Sequence, residues 1–140
     1  MFTLAKRKQH TQSIINNTQQ FLYKYTGNDK MSGYVMIIFH WIIMIIPLFY
    51  LLFGPVNKLY YFLSFFLYVV IFCHFYFKGC LLVRIERHLL NSNQWWGPWM
   101  FMFSPLEYIT GAPMTSSLAD KIIYTCIMIL TAIIVFRIKN

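Results

Sequence analysis

Acidic residues are scarce in this 140-residue chain: Asp29, Glu86, Glu107 and Asp120 stand against 12 Lys and Arg. Charged residues of both signs reach only 11%, where a soluble domain carries about 25%. That shortage excludes an ordinary water-facing globule. Cysteine is equally sparse. Cys73 and Cys126 fall inside apolar runs and Cys80 sits just past one. An odd count without framework spacing reads as a reduced protein without disulfides. The chain has no Gly-rich phosphate loop, no GxSxG elbow, no HExxH and no histidine-box array, and these absences argue against an enzyme. No two histidines stand at i, i+4 and no zinc motif occurs, so neither metal nor cofactor is expected. Met1–Lys30 is polar and basic with no apolar core, unlike a cleavable leader. Asn16-Asn17-Thr18 fits the glycosylation pattern, but a cytosolic arm never meets the transferase.

What the chain has instead is long uncharged runs. Tyr34–Phe53 and Leu59–Phe77 contain no Lys, Arg, Asp or Glu. At about 1.5 Å per residue, such runs cover the roughly 30 Å hydrocarbon core of a bilayer as helices. The Gly54-Pro55-Val56-Asn57-Lys58 segment between them makes a tight turn. A third run, Ile122–Phe136, lengthens through Leu118 and Ala119, with Lys121 snorkelling. Asp120 at its start and Arg137 and Lys139 past its end suit the helix dipole.

The fold class read from these runs is an all-α membrane protein with three transmembrane helices, a basic N-terminal arm and an interfacial Trp-rich segment. The arm covers residues 1–33 and the transmembrane domain 34–140, with spans near 34–53, 59–77 and 118–136. In the arm, Lys6-Arg7-Lys8 form a basic cluster, and Ile14, Ile15, Phe21, Leu22 and Tyr25 recur near a 3.6 spacing. An amphipathic helix on headgroups, or one ordered on a partner, is expected there; a solvated tail is the alternative. Beyond the second span, Leu81, Leu82, Ile85 and Leu89 share one helical face and Arg84, Arg87 and Asn91 the other, out to residue 90. Gly79 either sits inside one long helix or hinges into an interfacial one. Trp95-Trp96-Gly97-Pro98-Trp99 is an interface signature. Trp95–Ile109, broken by Pro98 and Pro105, is short and interrupted for a span and reads as interfacial or re-entrant, with a fourth span as the alternative.

Basic residues crowd the arm and the second connection (Lys78, Arg84, Arg87, Lys121), while the hairpin turn has only Lys58. The positive-inside rule then places the N-terminus in the cytosol and the C-terminus opposite. The net charge of +8 points to anionic headgroups or an acidic protein partner, with nucleic acid and small-molecule substrates not expected. Lys6, Arg7, Lys8, Arg84, Arg87, Trp95, Trp96 and Trp99 are the expected lipid or partner contacts.

Three residues stand out as intramembrane or membrane-edge polar groups: His40, His74 and Glu86. The histidines lie inside spans and read as packed, hydrogen-bonded structural groups, with a ligand or proton-relay role as the alternative. Glu86 lies on the helix face away from Arg84 and Arg87 and has no cation at i±3 or i±4. It needs a partner elsewhere, with Lys121, Arg137 or a neighbouring chain as candidates, or a raised pKa.

The stretch His74-Phe75-Tyr76-Phe77-Lys78-Gly79-Cys80-Leu81-Leu82-Val83-Arg84-Ile85-Glu86 resembles one found in small multi-span membrane proteins of large icosahedral DNA viruses, especially those infecting algae and amoebae. There a Cys-Leu-Leu-like run follows a span and ends in an acid; Cys80, Leu81, Leu82 and Glu86 are the matching positions. Abundant Ile, Asn, Lys, Phe and Tyr fit an AT-rich viral genome. The resemblance implies a membrane-spanning minor capsid protein of the virion's inner membrane and the host endomembrane, its exposed arms gripping the shell. A small oligomeric channel and an accessory subunit or assembly factor of a cellular membrane complex are the alternatives. The channel reading is thin, because the spans offer only His40, Ser64, His74, Thr125 and Thr131 to line a pore.

Overall fold

The computed structural model describes residues 4–139 and, among them, six helices: α1 (Leu4–Thr26), α2 (Asp29–Phe53), α3 (Lys58–Phe77), α4 (Leu81–Leu89), α5 (Gly97–Thr110) and α6 (Ser116–Lys139). Three of these, α2, α3 and α6, are long and apolar enough to cross a membrane. Their surfaces agree with that: Ile38, Ile42, Ile46, Phe49, Phe62, Phe65, Phe72, Met128 and Phe136 are exposed. Such a belt suits a surface covered by lipid or by other protein.

The bundle is organised around α2, which touches every other helix. Leu51 of α2, Tyr60 of α3 and Ile134 of α6 form one buried cluster, so α3 runs antiparallel to α2 and α6 parallel to it. We call this the hairpin end. The turn is built by Asn57, whose Oδ1 accepts from the Tyr60 N–H and from the Tyr50 hydroxyl, each at 3.1 Å. That side chain caps α3 and ties it to α2 in one step. Pro47 lies within α2; neighbouring helices make an intramembrane proline acceptable.

The opposite end is covered by α1, α4 and α5, and we call it the cap. The second span and its extension are separate helices. α3 ends at Lys78 in the left-handed region (φ 53), Gly79 follows at φ 127, and Cys80 opens α4. The hinge is therefore the arrangement found, and the Arg84 Nη2 clips it by donating to the Lys78 carbonyl at 2.8 Å. α4 is a wedge: Ile85 and Leu89 pack with Ile15 of α1 and Met36 of α2, while Val83 packs with Trp99, Phe103, Ala119 and Ile123. Gly33 lets the end of α4 approach α2, since a Cβ there would lie 2.6 Å from Leu90 Cδ2. Small residues at such crossings bring backbones close.

The arm is helical and packs on its own chain. Thr11 and Ile15 are buried, and Leu22 packs on the same cluster. Phe21 and Tyr25, counted in the same stripe, face outward and pair with each other at 5.2 Å. α5 is about 21 Å long at 14 residues. It is shorter than the bilayer core, and it lies against α2, where Phe101 meets Trp41 edge-on at 5.4 Å.

Candidate functional site

The cap encloses a line of three ionisable side chains drawn from α2, the α3–α4 hinge and α4. His40 and Glu86 are 1% and 0% exposed, and His40 Nδ1 lies 2.7 Å from Glu86 Oε1. On the other side of the same ring, Nε2 lies 3.8 Å from Cys80 Sγ. The order is Glu86–His40–Cys80. α2 supplies His40 on its Ser32-Gly33-Met36-His40 buried stripe, spaced for one helical face. α4 supplies Glu86 because its apolar residues face inward and carry the carboxylate with them. Glu86 therefore pairs with His40, not with Lys121 or Arg137. The pair joins residues 46 apart in sequence and locks α4 to α2.

Gly97 closes the site. It adopts φ +63, and a Cβ there would lie 3.1 Å from His40 Nδ1 and 3.2 Å from Glu86 Oε1. The start of α5 thus presses backbone on the pair, and only glycine combines that φ with that space. Glu86 Oε2 is buried with no hydrogen-bond partner among the described residues. The inner end of the line is sealed, whereas Cys80 at the outer end is half-buried.

Protonation follows from the partners. A carboxylate only accepts, so Nδ1 carries the hydrogen and donates to Glu86. Nε2 faces the thiol: it accepts from Sγ–H while the proton is on sulfur, and donates to the thiolate once the proton has moved to the ring. Burial alone would push the Cys80 thiol up, but the His40 hydrogen bond and field outweigh it and hold the thiol below its ordinary range. Among the described residues no three His, Cys, Asp or Glu side chains are grouped to hold a metal ion.

His74 is placed elsewhere, buried in α3 with its ring edge-on to Tyr124 at 5.6 Å. Its Nε2 has no hydrogen-bond partner among the described residues. The aromatic and basic residues divide. Trp99, expected at the lipid or partner surface, is instead buried at 7% exposure and stacked on Phe103, because α5 folds back over Val83 and the start of α6. Trp95 is half-buried, with its indole N–H directed at the Met114 carbonyl (3.4 Å) and the Arg87 guanidinium 4.3 Å above its ring. Trp96 is half-buried as well. Arg87 also donates Nε–H to the Gln94 carbonyl at 2.9 Å; it braces a loop.

Arg7, Lys8 and Arg84 come together with Lys78. They line a groove of about 540 Å³ between α1 and the α3–α4 hinge, with Thr11, Gln12 and Phe77 as further walls and no carboxylate in its lining. Lys6 is exposed beside it on α1. The groove sits where α3 ends, with His10 of α1 against the rings of Tyr76 and Phe77 (6.3 and 6.2 Å). Lys78, counted among the basic residues of the second connection but not among the expected contacts, joins them here. Its signal was its position at the end of a span.

Compared with known proteins, the chain matches no family model, no curated protein and no solved structure.

Proposed function

We propose that this chain is a structural integral membrane protein whose cap binds anionic headgroups through the α1/α3–α4 groove. The observation that carries this reading is the groove itself: Arg7, Lys8, Lys78 and Arg84 face one space without a carboxylate, at the end of a span. A cation near an anionic leaflet contributes about 1 kcal/mol, so four held on one rigid surface favour phosphate-bearing lipid strongly. The same charge bias supports a cytosolic cap, since among the described residues only the cations Lys58, Arg137 and Lys139 lie at the hairpin end. The spans carry no ring of charge, which counts against a channel. Anchoring a capsid shell to an inner membrane is the narrower form of this role, and it rests on the resemblance of the His74–Glu86 stretch alone.

The test is native mass spectrometry of the full chain released from nanodiscs of mixed phosphatidylcholine and phosphatidylserine. Retained phosphatidylserine, lost when Arg7, Lys8, Lys78 and Arg84 are all changed to Ala, is the expected result. Equal retention by both proteins would refute the headgroup role. Protease shaving of sealed vesicles checks the side on which the cap lies.

A further inference from the structure

Cys80 follows the last helical residue of α3 by three positions, so its thiol sits where a span leaves the hydrocarbon. It is half-buried, whereas Cys73 and Cys126 are exposed on the spans. What distinguishes Cys80 is company. Sγ faces His40 Nε2 at 3.8 Å, and the far side of that ring is held by Glu86 at 2.7 Å. A nucleophile, a base and a carboxylate fixing the base's orientation is the arrangement that activates thiols and hydroxyls toward acyl carbon. A second observation concerns the other end of the same line. Glu86 Oε2 is fully buried and unpartnered among the described residues, an expensive arrangement for a carboxylate whose only task is packing.

We propose that Cys80 is a modification site that accepts a long-chain acyl group directly from a coenzyme A-type thioester, with His40 as the base and Glu86 as the positioning residue. Sγ attacks the thioester carbonyl. The bond from that carbon to Cys80 sulfur forms, and the bond to the departing sulfur breaks. The thiol proton passes to His40 Nε2 and then to the leaving thiolate, so nothing is oxidised or reduced. Juxtamembrane cysteines suit this modification because the chain they gain lies in the adjoining bilayer.

Two features select this electrophile. The acyl chain is at home beside an apolar belt, and the phosphates of the carrier meet cations: Lys78 in the hinge and Arg84 in the first turn of α4, both lining the groove, lie on either side of Cys80 in the sequence. The groove enters here as a cluster of cations and not through its proposed headgroup role. Loss of lipid retention with intact acylation, or the reverse, separates the two.

The experiment uses the full chain in nanodiscs with alkyne-tagged palmitoyl coenzyme A, followed by tag detection with and without hydroxylamine and by peptide mapping. Hydroxylamine-sensitive label on Cys80, absent from Cys80→Ser and absent from Cys73 and Cys126, is expected. His40→Asn should slow labelling about 100-fold, with Glu86→Gln falling between that variant and the wild type. Should either variant misfold, the wild-type pH profile decides. Its labelling rate should reach half-maximum below the usual thiol value of about 8.5. Labelling spread over all three cysteines, labelling unchanged by His40→Asn, an ordinary pH midpoint, or reaction with peroxide but not with the thioester would each overturn the proposal.

Discussion

The two ends of the bundle solve the same problem with different chemistry. At the hairpin end, where Asn57 already ties α3 to α2, a single guanidinium joins α6 to α2. Arg137 Nη1 donates to the Leu51 carbonyl at 2.7 Å and Nη2 to the Gly54 carbonyl at 2.6 Å, with the group 5.3 Å above the Tyr60 ring. These carbonyls are orphans of the α2 C-terminus, where a cation also meets the negative end of the helix dipole. The cap end is joined by two side chains, His40 and Glu86, each buried and each dependent on the other. Backbone carbonyls are present whatever the residue, so the first device needs only Arg137. The second needs two residues from distant helices, and it leaves a ring nitrogen over for Cys80. One end is fastened and the other is also equipped for chemistry.

The sharpest way to break that contrast is Glu86→Ala. It strands a buried imidazole and should cost about 3–5 kcal/mol, read as a lower unfolding midpoint in detergent. Next is Arg137→Ala. Its two charge-assisted bonds are part-buried and share one guanidinium, so their loss together costs roughly 1.5–3 kcal/mol, and hydrogen exchange should rise around Leu51–Lys58 while α1 and α4 keep their protection. Gly97→Ala comes third, with strain of about 1–3 kcal/mol from the positive φ and from the close contacts to His40 and Glu86. It should loosen the cap and spare the hairpin. The smallest effect is Ser32→Ala. Its hydroxyl lies 2.6 Å from Thr26 Oγ1 across the α1–α2 turn, and a net hydrogen bond contributes about 0.5–1.5 kcal/mol. Unfolding midpoints of the four variants should fall in that order.

The spans were legible because hydrocarbon thickness imposes one rule, a long uncharged run, and α2, α3 and α6 obey it. The cap was legible only in pieces. The face of α4 followed from Leu81, Leu82, Ile85 and Leu89, but whether Gly79 bends the chain depends on what α4 packs against. The stripe of α1 was found, yet period alone did not separate Ile15, which is buried, from Phe21, which is 61% exposed. The pairing of His40 with Glu86 lay out of reach because no local spacing encodes a contact 46 residues long. A signal did exist: each was an ionisable group on an apolar face without a local partner, and two such groups in one small chain satisfy each other. Cys80 gave a weaker sign, its place just past a span, and nothing local pairs it with His40, since a cysteine there also reads as a small hydrophobe. Trp99 departs from its expected place for a related reason. Indole suits headgroups and cores alike, and only the fold of α5 over α6 places Trp99 inside.

The most direct measurement is hydrogen exchange on the full chain in nanodiscs of phosphatidylcholine alone against nanodiscs containing phosphatidylserine. The account predicts slower exchange in α1 and at the α3–α4 hinge with the anionic lipid, and no change at the Gly54–Lys58 turn. Identical exchange at the cap in both lipids, or protection confined to the hairpin end, would contradict it.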